Sequence, residues 1–442
     1  MKSSRNNQAR RGGREGYPLA QWLTYLETLH PNPIELGLER VAAVARALDL
    51  LPVKVPVITI AGTNGKGSTV AVLESLLGLS GRLTGVYTSP HLLRFNERIR
   101  VGGMETADEE IIAAFEAIDD SRAETSLTYF EFATLAALWV FRARAVEVIV
   151  LEVGLGGRLD AVNIVDPQVA VITRIDLDHQ SWLGAERGAI ASEKAGILRA
   201  GVPAIIADPE PPAQLLEVAL GVAADPVICL GAQFSFEVQG KQWRSVLWRT
   251  AGEPRRLPWL PLGPLLPVNI TAAFQAASLL GCTFTDEQAA EAVARARPRG
   301  RCERQWLAGR EYVLDVAHNP ASVNNLVDVL NATDCNGRTI AIFSAMGDKD
   351  IRAMIRAAIG TIDAWFLADQ PANPRAATAA EIAAALSAEG QSMVSSSKNL
   401  RQAFRRAQGL MAEGDRMVVF GSFFTVAEVI PLLDRDRRKG EA

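Results

Sequence analysis

A β-branched run, Val57–Ala61, leads into Ala61-Gly62-Thr63-Asn64-Gly65-Lys66-Gly67-Ser68, and an amphipathic run over residues 69–79 follows. Glycines let successive backbone N–H groups curl around phosphate oxygens, the N-terminus of the next helix adds partial positive charge, and Lys66 supplies a full one. The Ser68 hydroxyl is then placed to ligate Mg²⁺. The match to G-x-x-x-x-G-K-[ST] is imperfect, because Ile60 stands at the first glycine position and Gly67 separates Lys66 from Ser68. A turn that only needed glycines would have no use for Asn64, Lys66 and Ser68 as well. The segment is read as a nucleotide phosphate site. A GTPase switch would add Asn-Lys-x-Asp, which the chain lacks.

Only four histidines exist: His30, His91, His179 and His318. His30 is read as structural. His179 ends Ile175-Asp176-Leu177-Asp178-His179, expected at the carboxyl end of a strand, where α/β sites gather. Glu152 closes the apolar run EVIVLEV just before Gly154-Leu155-Gly156-Gly157-Arg158. A carboxylate there is costly unless it pairs, with Arg158, or binds a metal. Glu152, His179 and Ser68 together would hold magnesium beside a transferring phosphate. Lys194, in Ser192-Glu193-Lys194-Ala195-Gly196, has two readings. It is a solvated helical lysine, or a buried amine that loses its proton, reacts with CO₂ and becomes a carbamate able to ligate metal. Glu193 is read as a surface charge.

The elements that must position these groups alternate. Strand patterns at residues 57–61, 84–87, 147–153, 169–172 and 204–207 interleave with helical ones at 69–79, 107–118, 131–144 and 186–198. That order predicts βαβ units and a mostly parallel sheet. Residues 209–267 weaken into turn-rich pieces, a small β insertion, before helices at 270–280 and 286–296. The polar stretch Arg297-Pro298-Arg299-Gly300-Arg301 is the linker candidate. Alternation then restarts with strands at 312–316, 339–343, 364–368 and 417–420. The expected domains are 17–298 and 299–442, with chemistry in a cleft between them.

Composition sets the outer bounds. The 442 residues carry 46 basic and 50 acidic side chains, net −4, so no nucleic-acid or anionic-membrane partner is expected. Cys229, Cys282, Cys302 and Cys335 lie far apart without CxxC spacing and read as reduced thiols of a cytoplasmic protein. Residues 1–16 are basic without an apolar segment and read as a disordered tail, not an export signal. The uncharged stretch 257–285 is broken by Pro258, Pro261, Pro264 and Pro267, so no membrane span is expected. A monomer is expected.

Taken in order, these motifs resemble the folylpolyglutamate synthases of the Mur-ligase superfamily, most closely the bacterial bifunctional members that are also dihydrofolate synthases. The likeness includes Leu36-Gly37-Leu38-Glu39-Arg40-Val41, the loop Gly62 to Ser68, Thr88-Ser89-Pro90-His91-Leu92, Asn96-Glu97-Arg98-Ile99 and Thr128-Tyr129-Phe130-Glu131. It continues through residues 152–160, Leu177-Asp178-His179, Glu193-Lys194-Ala195-Gly196-Ile197, Asp315-Val316-Ala317-His318-Asn319-Pro320, Asp348-Lys349-Asp350 and Gly421-Ser422-Phe423. Each is weak alone; in this order they are specific.

The resemblance implies an α/β architecture: a P-loop Mur-ligase-like central domain and a smaller Rossmann-like C-terminal domain. It implies ATP-dependent amide formation, in which a carboxylate becomes an acyl phosphate that the amino group of L-glutamate attacks. Gly62, Thr63, Asn64, Gly65, Lys66, Gly67 and Ser68 would take the ATP phosphates, and Asn269, Arg301 and Asp315 would complete the nucleotide site. Ser68, Glu152, His179 and a carbamylated Lys194 would hold two Mg²⁺, with room for a monovalent cation. Lys66, Lys194 and His318 would serve the chemistry, and His318 and Ser422 the incoming glutamate. The pterin side would involve Glu35, Leu36, Gly37 and Leu38, then Thr128, Tyr129, Phe130 and Glu131, then Leu159, Asp160 and Ala161. Departures from the family pattern are Val162, where threonine is usual, Val316 for a common glycine, and Arg174 and Gln180 around the His179 motif. A folylpolyglutamate synthase without the first activity, and a nucleotide-binding regulator that has lost catalysis, are the competing readings.

Overall fold

The computed structural model describes residue 14 and residues 16–440. Residues 1–13 and 15 of the expected tail lie outside the described residues. Arg14 is anchored, its guanidinium donating to Asp119 at 2.7 and 2.9 Å. Two compact units emerge: one runs to Leu262 and resumes over Leu266–Ala296, and the other takes Gly263–Leu265 and the chain from Arg297.

The first unit is built on eight strands, β1 (Val57–Ala61), β2 (Thr84–Tyr87), β3 (Ile99–Val101), β4 (Met104–Glu105), β5 (Val148–Glu152), β6 (Val169–Ile172), β7 (Ala204–Ile206) and β8 (Val227–Cys229). They lie in the order β4-β3-β2-β5-β1-β6-β7-β8, parallel except at the β3–β4 edge. Every residue of β1, β2, β5 and β6 is buried. That explains why their sequences are near-continuous apolar runs instead of alternating ones. Periodicity missed β3 and β4, which are two or three residues long and carry too little pattern to read.

The helix Lys66–Leu79 leaves β1 and packs against Pro267–Leu279 and Asp286–Arg295. Pro267 was expected among the helix-breaking prolines. It starts this helix instead, because the first helical position needs no N–H and its fixed φ suits the turn. The insertion is a small antiparallel sheet of β9 (Ser235–Gln239), β10 (Gln242–Leu247), β11 (Arg255–Arg256) and β12 (Leu260–Pro261). Among the described residues no helix is long and apolar enough to cross a membrane.

The second unit holds β13 (Glu303–Leu307), β14 (Arg310–Leu314), β15 (Thr339–Phe343), β16 (Ala364–Ala368), β17 (Val394–Ser397) and β18 (Arg416–Phe420). Their order is β13-β14-β18-β15-β16-β17, with only β13 antiparallel. β17 reads Val-Ser-Ser-Ser, a polar edge strand that hydrophobic patterning cannot find. Arg416 opens β18 and is 2% exposed. Its Nε donates to Glu311 at 2.7 Å, and its terminal nitrogens donate to the carbonyls of Leu330, Thr333 and Asp334. Removing Arg416 leaves the buried Glu311 with Arg304 as its one remaining cation among the described residues and takes a charged donor from three carbonyls. Arg416→Met should therefore cost about 3–5 kcal/mol, read as a lowered urea midpoint for the full chain.

Candidate active site

β1 delivers the chain into Gly62 at φ 147°, where a Cβ would lie 1.8 Å from Thr173 Oγ1. Only glycine fits. The loop is then pinned to the segment after β6. The Thr63 and Asn64 amides donate to Arg174 O at 2.8 and 3.3 Å, and Thr63 Oγ1 exchanges hydrogen bonds with the Asp176 backbone at 2.9 and 3.0 Å. Gly65, at φ 103°, passes so close to Asn269 that a Cβ would meet its Oδ1 at 2.4 Å. Asn269 is thus held against the loop. Lys66 folds its ammonium over the loop, donating to Gly62 O at 2.9 Å. Ser68 is buried in the first helical turn, and Gly67 stands half-buried before it.

Lys194 lies in the last turn of the helix Arg187–Ala195 and is 5% exposed. The solvated reading is excluded. Burial, with the Lys66 ammonium second, brings its amine down to about 7 from the usual 10.5, while Asp178 and Asp160 act in the opposite direction. What holds it there is the turn after β5. A Cβ on Gly157 would sit 2.8 Å from the Glu193 and Lys194 carbonyls, and Arg158 N donates to Glu193 O at 2.8 Å. Arg158 Nη2 also pairs with Glu193 Oε1 at 2.8 Å. Two expectations are corrected: Arg158 is the partner of Glu193, not of Glu152, and Glu193 is a docking residue, not a bare surface charge.

Glu152 ends β5 at 4% exposure, within electrostatic reach of Arg100. His179 stands on a loop well past β6, at φ 52°, with its amide bonded to Asp178 Oδ1 at 2.8 Å. The strand that precedes it is β6, and between them only an isolated bridge joins Arg174 to Asn64. Among the described residues no three His, Cys, Asp or Glu side chains converge on a metal position. The donor chemistry nonetheless suits magnesium, a hard cation that takes one or two protein oxygens and leaves the rest to phosphate and water. A buried carboxylate and a buried hydroxyl are such donors.

The three segments proposed for a pterin do meet. Gly37 N donates to Leu159 O at 3.3 Å, joining the half-buried Leu36 to Leu38 stretch to the turn before Asp160. Phe130 lies across Gly154, where a Cβ would touch its Cζ at 2.6 Å, and its ring centroid is 5.8 Å from Tyr87. Asp160, buried like Ala161 beside it, accepts from Leu155 N at 2.8 Å and Val162 N at 3.0 Å. Burial pushes its carboxyl up to about 6, against the pull of those amides and Lys66. Glu35 is drawn down to about 2 by hydrogen bonds from Asn32 and His30, and it pairs with Arg40, which also bonds Glu131 at 3.2 Å.

Thr128 and Glu131 turn out to be a capping box. Glu131 N donates to Thr128 Oγ1 at 3.2 Å and Thr128 N to Glu131 Oε2 at 2.8 Å, opening the helix Tyr129–Ala143. Their polar atoms frame the site, and the Thr-x-x-Glu spacing was the signal for this. Tyr129 presents its ring to the Arg98 guanidinium at 5.4 Å, a pairing that sequence reading missed. His30 is structural, bonded to Ser126 Oγ at 2.7 Å.

In the second unit Asp315 directly follows β14 at 8% exposure; burial pushes its carboxyl up while Arg301 pulls it down. His318 bonds Val316 O through Nδ1 at 2.8 Å. A carbonyl only accepts, so Nδ1 is the donor in this contact. Phe423 is shared: the Arg301 guanidinium lies 5.3 Å from its ring and His318 5.9 Å. Phe423 stood in the Gly421-Ser422-Phe423 motif of the resemblance, with no role read for it. Ser422 Oγ accepts from Thr425 N at 3.0 Å, so its hydroxyl caps the helix Phe423–Gly440.

Comparison with known proteins adds to this geometry. Residues 60–211 match the Mur ligase middle domain, and residues 300–423 the Mur ligase, glutamate ligase domain. The chain is 41% identical over 424 residues to the dihydrofolate synthase/folylpolyglutamate synthase of Escherichia coli, covering 96% of this chain and 97% of that one. With the Haemophilus influenzae enzyme of the same name, identity is 38%, over 93% and 96% of the two chains. The structure of E. coli FolC in complex with DHPP and ADP superposes with a TM-score of 0.89 at 39% identity, covering 96% and 99%. The Yersinia pestis bifunctional enzyme complexed with AMPPNP and Mn gives 0.87 at 39%, covering 95% and 98%. A phosphate loop backed by a buried lysine, and likeness sustained over nearly the whole length, lead to one assignment: the chain belongs to the dihydrofolate synthase/folylpolyglutamate synthase family of Mur ligases.

Proposed function

We propose that this protein is an ATP-dependent ligase that joins L-glutamate to 7,8-dihydropteroate and to reduced folates through an acyl-phosphate intermediate. The observation that carries the reading is Lys194, buried in the field of the phosphate-loop Lys66. Burial and the nearby Lys66 charge leave this amine free of its proton near neutral pH, which is what carbamate formation requires. A carboxylate is a poor acyl donor; phosphorylation turns one of its oxygens into a leaving group. Phosphoryl transfer of this kind asks the protein for position and charge neutralisation above all.

In this reading the loop amides of Gly62 to Ser68 and the Lys66 ammonium hold the phosphates, and Asn269, Arg301 and Asp315 hold the rest of the nucleotide. Ser68, Glu152, His179 and carbamylated Lys194 would hold magnesium, whose chemistry when bound is neutralisation of the phosphate oxygens. Phe130 gives the pterin a flat face and Asp160 an acceptor. His318 Nε2 and the Ser422 turn face the incoming amino acid. The reading carries small-molecule partners alone (ATP, L-glutamate, dihydropteroate and reduced folates) and a monomer in the cytoplasm.

Purified protein incubated with dihydropteroate, ATP and radiolabelled glutamate should yield labelled dihydrofolate. Label appearing only with tetrahydrofolate would leave a folylpolyglutamate synthase, and ATP turnover indifferent to glutamate would revive the regulatory reading. For Lys194 the sign of the pH effect follows from its depressed pKa of about 7. Above that value the amine is free to attack CO₂; below it the proton blocks attack. Stimulation by bicarbonate should therefore be present at pH 8 and fade as pH falls towards 6, and native mass measurement should find one added CO₂. An alanine at this position with undiminished turnover would dispose of the role. Gly154→Ala must displace the Phe130 ring, so KM for dihydropteroate should rise about tenfold with KM for ATP little changed, as steady-state kinetics will read.

A further inference from the structure

Cys302 has no part in the reading above, yet its placement is unusual. It is a non-glycine residue at φ 47° and 7% exposure, in the turn after Gly300 and Arg301. The left-handed backbone is unfavourable for a side chain with a Cβ, and such outliers persist where the surroundings impose them. Here the conformation sends two donors to one atom: Cys302 N reaches Asp315 Oδ2 at 2.7 Å and Cys302 Sγ reaches the same oxygen at 3.2 Å. The other oxygen, Oδ1, accepts from Ala317 N at 2.7 Å. Val316 N donates to Gly300 O at 2.8 Å, closing the turn over the carboxylate. Burial pushes the Cys302 thiol well up, so the sulfur keeps its proton and stays a donor.

We propose that Cys302 is a positioning residue: its thiol, held by the strained turn, fixes the Asp315 carboxylate in the rotamer that receives the nucleotide. The proposal rests on Asp315 as a nucleotide contact. With Oδ2 held from two sides and Oδ1 from one, the carboxylate cannot swing, and its remaining lone pairs point where the turn leaves them. A donor hydroxyl or amine of ATP meets an acceptor already oriented, so no side-chain freedom is lost on binding. A sulfhydryl is a weak donor, so the expected effect is modest and specific to one substrate.

The test is a set of full-length variants with KM and kcat measured for ATP at saturating glutamate and pterin. Cys302→Ala removes the sulfur donor and should raise KM for ATP about fivefold, with kcat within about twofold of the parent. Cys302→Ser restores a donor and should return KM to within about twofold. Cys302→Gly keeps the backbone N–H and relieves the positive-φ strain, so it holds the fold; it should nonetheless raise KM as alanine does. Asp315→Asn, run beside them, should raise KM for ATP more than any Cys302 variant. An Asp315→Asn enzyme with an unchanged KM for ATP would sink the nucleotide reading of Asp315. A raised KM for Asp315→Asn with unchanged values for Cys302→Ala and Cys302→Gly would overturn the positioning role alone.

Discussion

The first unit is organised around a buried lysine: Lys194 lies enclosed, within the field of Lys66, which opposes its charge. Burial of an ammonium is unfavourable already, and a second one close by makes it worse. The fold tolerates this because the flanking structure is over-determined. Gly62 and Gly65 admit no side chain, Gly157 rests on the backbone of the Lys194 helix, and Arg158 fastens to Glu193. Asp160 and Asp178 temper the field without cancelling it. What remains is a lysine whose amine is held dry by fixed backbone on several sides.

The same turn serves two ends. Residues 154–160 leave β5, pass under Phe130, reach the Lys194 helix at Gly157 and fold back on Asp160. The Phe130 ring and the Lys194 helix are therefore referred to one short piece of backbone. In the second unit, the turn at residues 300–302 does comparable work for Asp315, and Phe423 joins Arg301 to His318.

Some residues change their meaning once the structure is known. Thr128 and Glu131, expected on the pterin side, are also helix-capping partners, and Ser422, expected beside the glutamate, also caps the last helix. Capping and binding draw on the same residue types, because both need short polar side chains near helix N-termini. Composition cannot separate them. Glu193 moved the other way, from a bare surface charge to the partner that docks Arg158.

By itself the sequence determined the alternation of strand and helix, the parallel sheet and the phosphate loop. Those depend on local periodicity and on glycines whose backbone needs are local too. It also flagged Glu152, a carboxylate in an apolar run, whereas Asp160 was named only through the family resemblance and Lys194 was left with two readings. Tertiary structure alone decided whether Lys194 is dry, that Arg158 turns to Glu193, that Asn269 closes against Gly65, and that Cys302 addresses Asp315. Each of these depends on which distant backbone comes within a few ångströms, and on how much water that approach removes. Burial and long-range pairing are properties of the assembled chain, not of any window along it.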